Sequence, residues 1–403
     1  MNTKKQILLD KYLAKPAGYL LNYLVRLLGQ ILHIDHSLDK EFKRIAICKF
    51  KGMGSIIQST PMMDALRTRY PEAEIIFVST KSNRHILNTI HLVDTSVLLD
   101  ESSLFTFMVS SMKALFFLIR KRPDVYIDLE IYSDFSTIFA ALTLSKNRMG
   151  FYLRSSSFRM GIYTHMMYFN PREPISNVYL QFASLFSKDI KESTLYSFSM
   201  TIEKYPVLSR KYIVINPNAS DLRLERRWDA SNFVSLIKMI RHEFSEYTIQ
   251  LIGSASERGY TQTIADTVDD EDVMNTAGTQ RIEELIAFIS HARLMISNDT
   301  GPMHIAFCTN TPIVCLFGPC SPEQYAHGAN AYIIYKKVYC SPCVHDFEVA
   351  PCHGNNMCMK LIDVKEVFEK VKDALLNSVS DQLVIEDSTI RTFENQTIGL
   401  IKR

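Results

Sequence analysis

The chain has 403 residues, of which 47% are apolar and 22% are charged, and its 45 basic and 43 acidic side chains leave a formal net charge of +2. This composition argues against a wholly disordered or fibrous chain and gives no support to a protein that binds nucleic acid. A chain of this length is expected to contain two domains. The first fifteen residues are polar, and no run of 18 uncharged apolar residues occurs. We therefore expect a cytoplasmic protein without a secretory signal or a membrane-spanning helix.

Residues 1–40 are predicted to form a separate N-terminal amphipathic helical extension. Its apolar stripe, which begins after Pro16, consists of Leu20, Leu21, Leu24, Leu27, Leu28, Ile31 and Leu32. Lysines precede the stripe at positions 4, 5, 11 and 15. A basic amphipathic helix can lie in a membrane interface, which predicts peripheral contact with the inner membrane, or it can pack on the protein's own body.

From Arg44 the chain alternates short apolar strands with helices, which predicts an α/β fold of parallel sheets with helices on both faces. A first domain over residues 41–207 contains strands predicted at Ile45–Phe50, Ile75–Ser79 and Val125–Leu129. The segment 104–119, interrupted by Lys113, is predicted as a core-facing helix. A looser region follows over residues 148–176.

A second alternation makes up a domain over residues 208–376, so we expect two Rossmann-like halves that meet near residues 205–210 and face one cleft. Its strands are predicted at Tyr212–Asn216, Thr248–Ile252, Val273–Asn275, Leu294–Ser297 and Ile313–Phe317. A last helix is predicted to begin at Asp363, with Glu366 completing a capping box. Residues 377–403 are polar and are predicted to form an extended or disordered tail.

The stretch Ser297–His304 carries the strongest chemical signal because it leaves a predicted strand and enters a helix. The free N–H groups and the dipole of such a helix N-terminus favour a phosphate. Asp299 and His304 add a carboxylate and an imidazole at the same place. In the alternative interpretation, Asp299 is only a helix cap and His304 is a surface histidine.

Three further loops follow predicted strands. The first, Lys51-Gly52-Met53-Gly54-Ser55, lets the backbone approach a ligand, although it matches neither a Walker A loop nor the dinucleotide fingerprint. The second begins at Asn216, includes Asn218 and continues into a basic loop with Arg223, Arg226 and Arg227. That loop suits a diphosphate or is solvated, and the single tryptophan, Trp228, favours a packed loop. The third loop is Gly253–Glu257.

Eight cysteines fall into two groups. Cys48, Cys308 and Cys315 lie in apolar runs and are expected in the core, and Cys320 follows a strand. The other four form an insertion over residues 340–358 and are Cys340, Cys343, Cys352 and Cys358. Their spacing predicts either a tetrahedral structural zinc site or free thiols, and nothing in the sequence supports a catalytic metal or another required cofactor.

Together these sequence segments resemble the bacterial heptosyltransferase family, glycosyltransferase family 9, over about residues 44–375. The segments similar to its opening helix are Ser59-Thr60-Pro61, Ala65-Leu66 and Tyr70-Pro71. The segments similar to its nucleotide-sugar signature are Asp299-Thr300-Gly301-Pro302-Met303-His304, Thr311-Pro312 and Phe317-Gly318-Pro319. The resemblance implies a GT-B fold and a metal-independent, inverting transfer of a sugar, typically heptose from ADP-heptose, to a lipopolysaccharide-core acceptor.

The resemblance also implies roles for individual residues. The donor's sugar and diphosphate would be held by Asp299, Thr300, Gly301 and His304. Arg226 would bind the phosphates, Glu257 would contact the ribose, and Asn218 would belong to the same donor site. The lipid-linked glycan acceptor would lie near the loop formed by Lys51, Gly52, Met53 and Gly54.

One departure from the family concerns the general base. Family members carry an aspartate directly after the Met-Gly of the first loop, and Ser55 stands at that position here. An unassisted serine cannot deprotonate an acceptor hydroxyl near neutral pH. Among Asp128, Glu130 and Asp134 we favour Glu130 as the replacement. The alternatives are a catalytically silent nucleotide-sugar-binding homologue and, with less support, a nucleotide-sugar epimerase.

Overall fold

Each half of the chain forms one six-stranded sheet in the computed structural model. The structure describes residues 10–187, 194–205, 211–219, 223–344 and 350–376. Strands β1 to β6 of the N-terminal sheet are Arg44–Cys48, Glu74–Thr80, Thr95–Leu99, Val125–Asp128, Asn147–Tyr152 and His165–Tyr168. Strands β7 to β12 of the C-terminal sheet are Tyr212–Asn216, Thr248–Leu251, Val273–Asn275, Leu294–Asn298, Ile313–Phe317 and Ala331–Tyr335.

The two sheets have the same topology. Their strand orders are β3-β2-β1-β4-β5-β6 and β12-β11-β10-β7-β8-β9, and neighbouring strands pair in parallel. In both sheets the order reverses between two central strands, β1 and β4 or β7 and β10. Ligands of such sheets bind at the carboxyl ends of the strands beside that reversal.

Helices connect the strands in both halves. In the N-terminal half a π-helical turn, Asp10–Ala14, precedes helices α1 to α9, which are Lys15–Leu32, Met53–Gln58, Thr60–Arg69, Arg84–Asn88, Leu104–Lys121, Asp134–Leu142, Arg159–Ile162, Ile175–Ser184 and Ser199–Ile202. In the C-terminal half, helices α10 to α16 are Ala230–Glu243, Arg258–Val268, Ile282–Ser290, Gly301–Cys308, Pro322–Tyr325, Met357–Lys360 and Val364–Leu376.

Alternation along β1 divides the N-terminal core into two layers. Ile45 and Ile47 belong to an apolar cluster that continues into the C-terminal half and includes Met303 and Phe317. Ala46 and Cys48 point to the opposite face, where the cluster includes side chains of α5 and α6. The two halves therefore share one apolar cluster along one face of the N-terminal sheet.

The predicted α/β architecture is confirmed, and the predicted strands agree with the observed ones to within two residues at each end. The looser region predicted over residues 148–176 is wrong, because it contains most of β5 and all of β6. Asp363 caps α16 by accepting hydrogen bonds from two backbone N–H groups, whereas Glu366 pairs with Lys336 instead of completing the box. Residues 206–210 and 377–403 lie outside the described residues, so the exact domain boundary and the tail stay predictions.

Helix α1 packs on the body of the protein with its polar side. Gly18 lies so close to the ring of Phe158 that a Cβ at this position would overlap it. Asn22 donates a hydrogen bond to the Phe158 carbonyl, and the hydroxyls of Tyr19 and Ser157 lie 3.1 Å apart. Most of the predicted apolar stripe faces away from the body, with Leu20 and Ile31 each 65% exposed, whereas Leu21 packs against the apolar cluster that contains Phe158.

Helix α5 corresponds to the core-facing helix predicted over residues 104–119, but only one side of it faces the core. Ser111, Ala114 and Leu118 are buried, whereas the large apolar side chains of Phe105 and Phe116 are exposed. Among the described residues, no helix combines the length and apolar character needed to cross a membrane.

Candidate active site

Two short helices approach each other across the cleft between the halves. Helix α2 starts after β1, and helix α13 starts after β10, so both begin where central strands end. Gly52, the residue before α2, has a φ of 91°, a conformation that residues with a side chain rarely adopt. Thr300 precedes α13 in an extended conformation. The arrangement directs the free N–H groups of α13 into the cleft.

Glycines allow this close approach. A Cβ at Gly54 would overlap the imidazole of His304, and a Cβ at Gly301 would overlap the side chain of Met53. Gly54 is buried, whereas Lys51 and Gly52 are exposed. Within the predicted acceptor loop, Met53 and Gly54 therefore contact the opposite half, and Lys51 and Gly52 face solvent.

Gln58 at the end of α2 links the halves by hydrogen bonds. Its Nε2 lies 3.0 Å from Nδ1 of His304, and its Oε1 lies 2.9 Å from Nε2 of His327. The amide can donate only from nitrogen, so His304 accepts at Nδ1 and carries its proton on Nε2, while His327 donates from Nε2. Sequence reasoning missed Gln58 and His327, and its only available signal was a polar residue in the apolar run Ile56-Ile57-Gln58.

Both histidines are neutral in this arrangement. Burial lowers the pKa of His304 to about 4, an effect that the nearby Asp299 opposes and His327 and Arg226 reinforce. Burial also lowers the pKa of His327 to about 4. The predicted His304 is therefore a buried, neutral group at the contact between the two halves, and the surface-histidine alternative is wrong.

Asp299 and Arg226 form the charged centre of the C-terminal side. Their closest side-chain atoms, Arg226 Nη1 and Asp299 Oδ2, lie 3.5 Å apart, and Asp299 is only 4% exposed. The Cys320 thiol contacts the Asp299 carboxylate, and burial together with this carboxylate raises the pKa of the thiol well above its ordinary value. Burial alone would lower the pKa of Arg226, but Cys320 and Asp299 raise it above normal, so the guanidinium stays charged.

Several polar atoms here are buried without a hydrogen-bond partner among the described residues. They are Asp299 Oδ2, Arg226 Nε and Asn218 Oδ1. A buried polar atom without a partner costs about 1–3 kcal/mol, so native proteins rarely carry several in one place. Their concentration beside the N-terminus of α13 indicates a site for a polar ligand.

Three asparagines fix the loops around this centre. Asn216 Nδ2 donates to Thr300 Oγ1 at 2.7 Å, and Asn218 Nδ2 donates to the Ile252 carbonyl at 2.8 Å. Asn298 Nδ2 donates to the Asn218 carbonyl at 3.0 Å. Trp228 is fully buried and donates through Nε1 to the Ile362 carbonyl at 3.1 Å, so the predicted packed loop is confirmed.

The three predicted arginines diverge. Only Arg226 lies beside Asp299, whereas Arg227 stacks on the Tyr260 ring at 4.1 Å and Arg223 donates to the Val344 carbonyl. The interpretation of all three as one diphosphate site stays a prediction, and Arg226 alone of the three is paired with Asp299. Glu257 lies at the predicted strand-end loop, where Oε2 accepts hydrogen bonds from Ser254 N at 2.8 Å and Ser254 Oγ at 2.7 Å. Its ribose contact stays a prediction.

Glu130 holds the first loop in place. Its Oε1 accepts hydrogen bonds from Phe50 N at 2.7 Å and Lys51 N at 3.1 Å, and its Oε2 lies 2.9 Å from Lys49 Nζ. Burial alone would raise the pKa of Glu130, but the charge of Lys49 and these hydrogen bonds lower it below its ordinary value. The general-base role predicted for Glu130 stays a prediction, and its observed contacts fix the loop. Sequence reasoning missed Lys49 as its partner.

The other candidates for the base lie in different surroundings. Asp128 is fully buried, accepts a hydrogen bond from the Tyr163 hydroxyl at 2.6 Å, and has its pKa raised by burial to about 6. Asp134 lies 3.5 Å from the buried guanidinium of Arg159. Ser55 is hydrogen-bonded to Tyr179, which lies within the electrostatic influence of Lys49 and Glu130.

All eight cysteines lie in the described part of the chain, and none forms a disulfide. Cys48, Cys308, Cys315 and Cys320 are buried, which confirms the first three as core residues. Burial and the charges of Cys343, Cys340 and Cys352 raise the pKa of Cys358 to about 11, so the four thiols share one neighbourhood. Among the described residues, however, no three His, Cys, Asp or Glu side chains are arranged to hold a metal ion.

Comparison with known proteins connects this geometry to a family. A family model described as "Glycosyltransferase family 9 (heptosyltransferase)" matches residues 180–353. A lipopolysaccharide heptosyltransferase 1 from Campylobacter coli is 25% identical over 354 residues, which is 82% of this chain and 98% of that protein. A lipooligosaccharide heptosyltransferase 2 from Campylobacter jejuni is 28% identical over 174 residues, 42% of this chain, and that match spans about half (52%) of the relative.

Solved structures share the fold. The structure of an Escherichia coli ADP-heptose lipopolysaccharide heptosyltransferase II has a TM-score of 0.65 at 21% identity, covering 83% of this chain and 98% of that one. A glycosyltransferase family 9 protein from Veillonella parvula has a TM-score of 0.67 at 19% identity, covering 85% and 100%. The predicted GT-B architecture of two facing Rossmann-like halves is therefore confirmed.

Replacing Glu130 tests the buried ion pair. We expect Glu130→Gln to lower the free energy of unfolding by about 3 kcal/mol at pH 7, because the buried Lys49 loses its counter-charge. Since the pKa of Glu130 is lowered in the folded state, its contribution is present above the unfolded pKa and is lost as pH falls through the folded value. Denaturant unfolding at pH 7 and pH 3 measures both effects.

The control for this experiment is Lys49→Met/Glu130→Leu, which removes both charges and should recover most of the lost stability. A Glu130→Gln protein as stable as the wild type would contradict the ion pair. Loss of turnover at unchanged stability would instead support Glu130 as a general base.

The buried histidines predict a pH dependence of stability. Their folded pKa of about 4 lies below the ordinary value of 6.5, so the unfolded chain binds more protons between these values and stability falls as pH falls from 6.5 to 4. In His304→Gln/His327→Gln we expect the free energy of unfolding that is lost between pH 6.5 and pH 4 to be smaller by up to about 3 kcal/mol for each histidine replaced. Urea unfolding at pH 7 and pH 4.5 gives the difference.

The matched control is His85→Gln, since His85 is exposed and lies outside the cleft. This control should leave the dependence unchanged. An equal pH dependence in the wild type and the double variant would show that the histidines are not buried in neutral form.

Proposed function

This chain belongs to glycosyltransferase family 9, and from that premise we propose that it is an inverting glycosyltransferase that moves heptose from ADP-heptose to a lipopolysaccharide-core or related surface-glycan acceptor. Its similarity to a lipopolysaccharide heptosyltransferase supports the sugar and the acceptor, and its similarity to an ADP-heptose lipopolysaccharide heptosyltransferase supports the donor. The observation that carries the proposal is the Arg226–Asp299 centre, with its unpartnered polar atoms beside the N-terminus of α13.

The donor site uses charge and free N–H groups. Arg226 and the first N–H groups of α13 bind the diphosphate, whose negative charge increases as the bond to the sugar breaks. Asp299 binds sugar hydroxyls, and Arg226 keeps its carboxylate from repelling the diphosphate. Thr300 and Gly301 belong to the same turn, and His304 holds α2 against α13, which excludes water from the cleft.

Transfer with inversion needs one displacement. The acceptor hydroxyl attacks the anomeric carbon on the face opposite the diphosphate, the bond from that carbon to the diphosphate oxygen breaks, and a base takes the hydroxyl proton. Glu130 is the proposed base because it is the carboxylate nearest the first loop, which it contacts directly. Its hydrogen bonds to Phe50, Lys51 and Lys49 must loosen at one oxygen for this role.

A second candidate function is nucleotide-sugar binding without transfer. By the resemblance, Ser55 would stand where family members carry an aspartate, and the Glu130 carboxylate is occupied by an ion pair and two backbone N–H groups. Both observations favour a protein that has kept the donor site and lost the base.

Contact of residues 1–40 with the inner membrane is part of the proposal. A lipid-linked acceptor lies in that membrane, and the apolar side of α1 faces away from the protein's body. The site of action would then be the cytoplasmic surface of the inner membrane.

A structural zinc ion held by Cys340, Cys343, Cys352 and Cys358 is a separate proposal. Thiolate sulfur is a zinc ligand and the four thiols share one neighbourhood, although the described side chains are not arranged to hold an ion in this structure. The metal would fix the insertion that precedes α15 and would have no part in the transfer.

Donor binding and turnover together distinguish the two functions. We expect the purified protein to bind ADP-heptose by calorimetry and to form product with a heptose-deficient lipopolysaccharide acceptor. Arg226→Met should weaken donor binding by at least about tenfold, because a charge-assisted contact to phosphate is lost. Arg227→Met is the matched control, since this neighbouring guanidinium stacks on Tyr260 instead.

Binding of ADP-heptose without product across a panel of acceptors would establish the silent homologue. Absence of donor binding would overturn both candidates.

Metal analysis tests the zinc proposal. The protein purified without chelator should contain about one equivalent of zinc, and Cys343→Ser/Cys358→Ser should contain almost none. Cys308→Ser, a change at a buried cysteine outside the insertion, should keep the metal. Less than about half an equivalent in the wild type would contradict a structural site.

A further inference from the structure

Helix α5 exposes a continuous apolar stripe on the side opposite its core contacts. The stripe consists of Phe105, Met108, Met112, Phe116 and Ile119, which recur at intervals of three and four residues. Phe105, Met112 and Phe116 are 76%, 64% and 69% exposed. Single exposed apolar residues are ordinary on a protein surface, but five aligned ones, two of them phenylalanines, mark an interaction surface.

The charged residues of α5 itself have one sign. From residue 102 to residue 123 the chain contains no acidic residue, and the basic residues are Lys113, Arg120, Lys121 and Arg122. Lys121 pairs with Glu74, whereas Lys113, Arg120 and Arg122 are exposed. At 100° per residue, Lys113 and Arg120 fall along one flank of the stripe.

A shallow groove of about 500 Å³ lies at the C-terminal end of α5 and is lined by Phe116, Ile119, Arg120 and Arg122. Two guanidinium groups beside two apolar side chains suit a phosphate joined to a hydrocarbon chain. That combination is the chemistry of a phospholipid at the boundary between headgroup and acyl chain.

The position of α5 places this stripe on the same side of the N-terminal sheet as α1. Helices α5 and α6 cover one face of the sheet, where Phe107 of α5 and Phe135 of α6 are 5.1 Å apart between ring centroids. Helix α1 packs against α6 and α7 on that side. Helices α1 and α5 therefore lie on the same side of the N-terminal sheet, and each exposes apolar residues on its outer side.

The geometry points to α5 as a second membrane-binding element, docking on the anionic surface of a phospholipid bilayer. The apolar stripe enters the interface, and Lys113, Arg120 and Arg122 meet the lipid phosphates. A second protein copy is a poorer occupant, since an uninterrupted basic flank would face its own like charge. The inference goes beyond the proposed transfer reaction and does not depend on it, because lipid binding is measured without donor or acceptor.

Vesicle sedimentation of the full chain tests the inference. We expect stronger binding to vesicles of phosphatidylcholine with phosphatidylglycerol than to phosphatidylcholine alone. Phe105→Ser/Phe116→Ser should lower the partition coefficient by at least about tenfold, since two aromatic side chains no longer leave water. Arg120→Gln/Arg122→Asn should remove most of the preference for anionic vesicles. Melting temperatures should match the wild type, because these side chains are exposed.

A local probe separates α5 from α1. The chain's single tryptophan, Trp228, is fully buried in the C-terminal half, so Phe116→Trp adds a distinct fluorophore on the stripe. Brominated lipid should quench the added tryptophan and leave Trp228 unaffected. The matched control, Met200→Ser/Leu361→Ser, removes two exposed apolar side chains elsewhere and should bind vesicles as the wild type does.

Unchanged binding by Phe105→Ser/Phe116→Ser, or fluorescence of the Phe116→Trp variant that brominated lipid does not quench, would overturn the inference. So would a wild-type dimer that the same double variant converts to a monomer without affecting vesicle binding, because the occupant would then be a second copy. If Leu20→Ser/Ile31→Ser abolished binding while the tryptophan added on α5 stayed unquenched, α1 alone would be the membrane contact.

Discussion

The close approach of α2 and α13 is the constraint on which the rest of the site depends. Two glycines, Gly54 and Gly301, bring a helix from each half into direct contact, and Gln58 then reaches both His304 and His327. Because the N-terminus of α13 is fixed by this contact, Asp299 and Arg226 have defined positions in the cleft. The shared apolar cluster supports the contact by extending from the N-terminal core to Met303.

Helices α1 and α5 on the surface of the N-terminal half expose apolar side chains to an unusual extent. Most surface helices bury an apolar face and expose a polar one. Helix α1 does the opposite, packing Gly18 and Asn22 on the body and exposing leucines, and α5 exposes phenylalanines beside its buried face. Both departures occur on one side of the protein, whereas the sheets themselves follow the usual burial of parallel strands.

Periodicity and strand-end loops predicted most of the fold and the residues that meet beside the N-terminus of α13. Short apolar strands are recognisable in the sequence because both faces of a parallel sheet are covered. The Asp299-Thr300-Gly301 turn is recognisable because it joins a strand to a helix N-terminus, a position that favours a phosphate. Strands β3, β5, β6 and β12 were not predicted. In β5 and β6, Arg148, Tyr152 and His165 interrupt the apolar character. Gln58 is hydrogen-bonded to both histidines and Lys49 pairs with Glu130. These residues lie at least 81 positions apart in the chain, so no local sequence pattern predicts the contacts. The same limit explains why the sequence does not show that, of the three neighbouring arginines, Arg226 alone is paired with Asp299.

The unpartnered polar atoms beside α13 have a consequence for how this protein can change over time. They lower the stability of the fold, so substitutions that replace Asp299, Arg226 or Asn218 with well-packed apolar groups would be favoured in any selection for thermal resistance alone. Such a selection would remove the proposed donor site first. Retention of these residues in a stable variant therefore indicates that selection has acted on ligand binding as well as on folding.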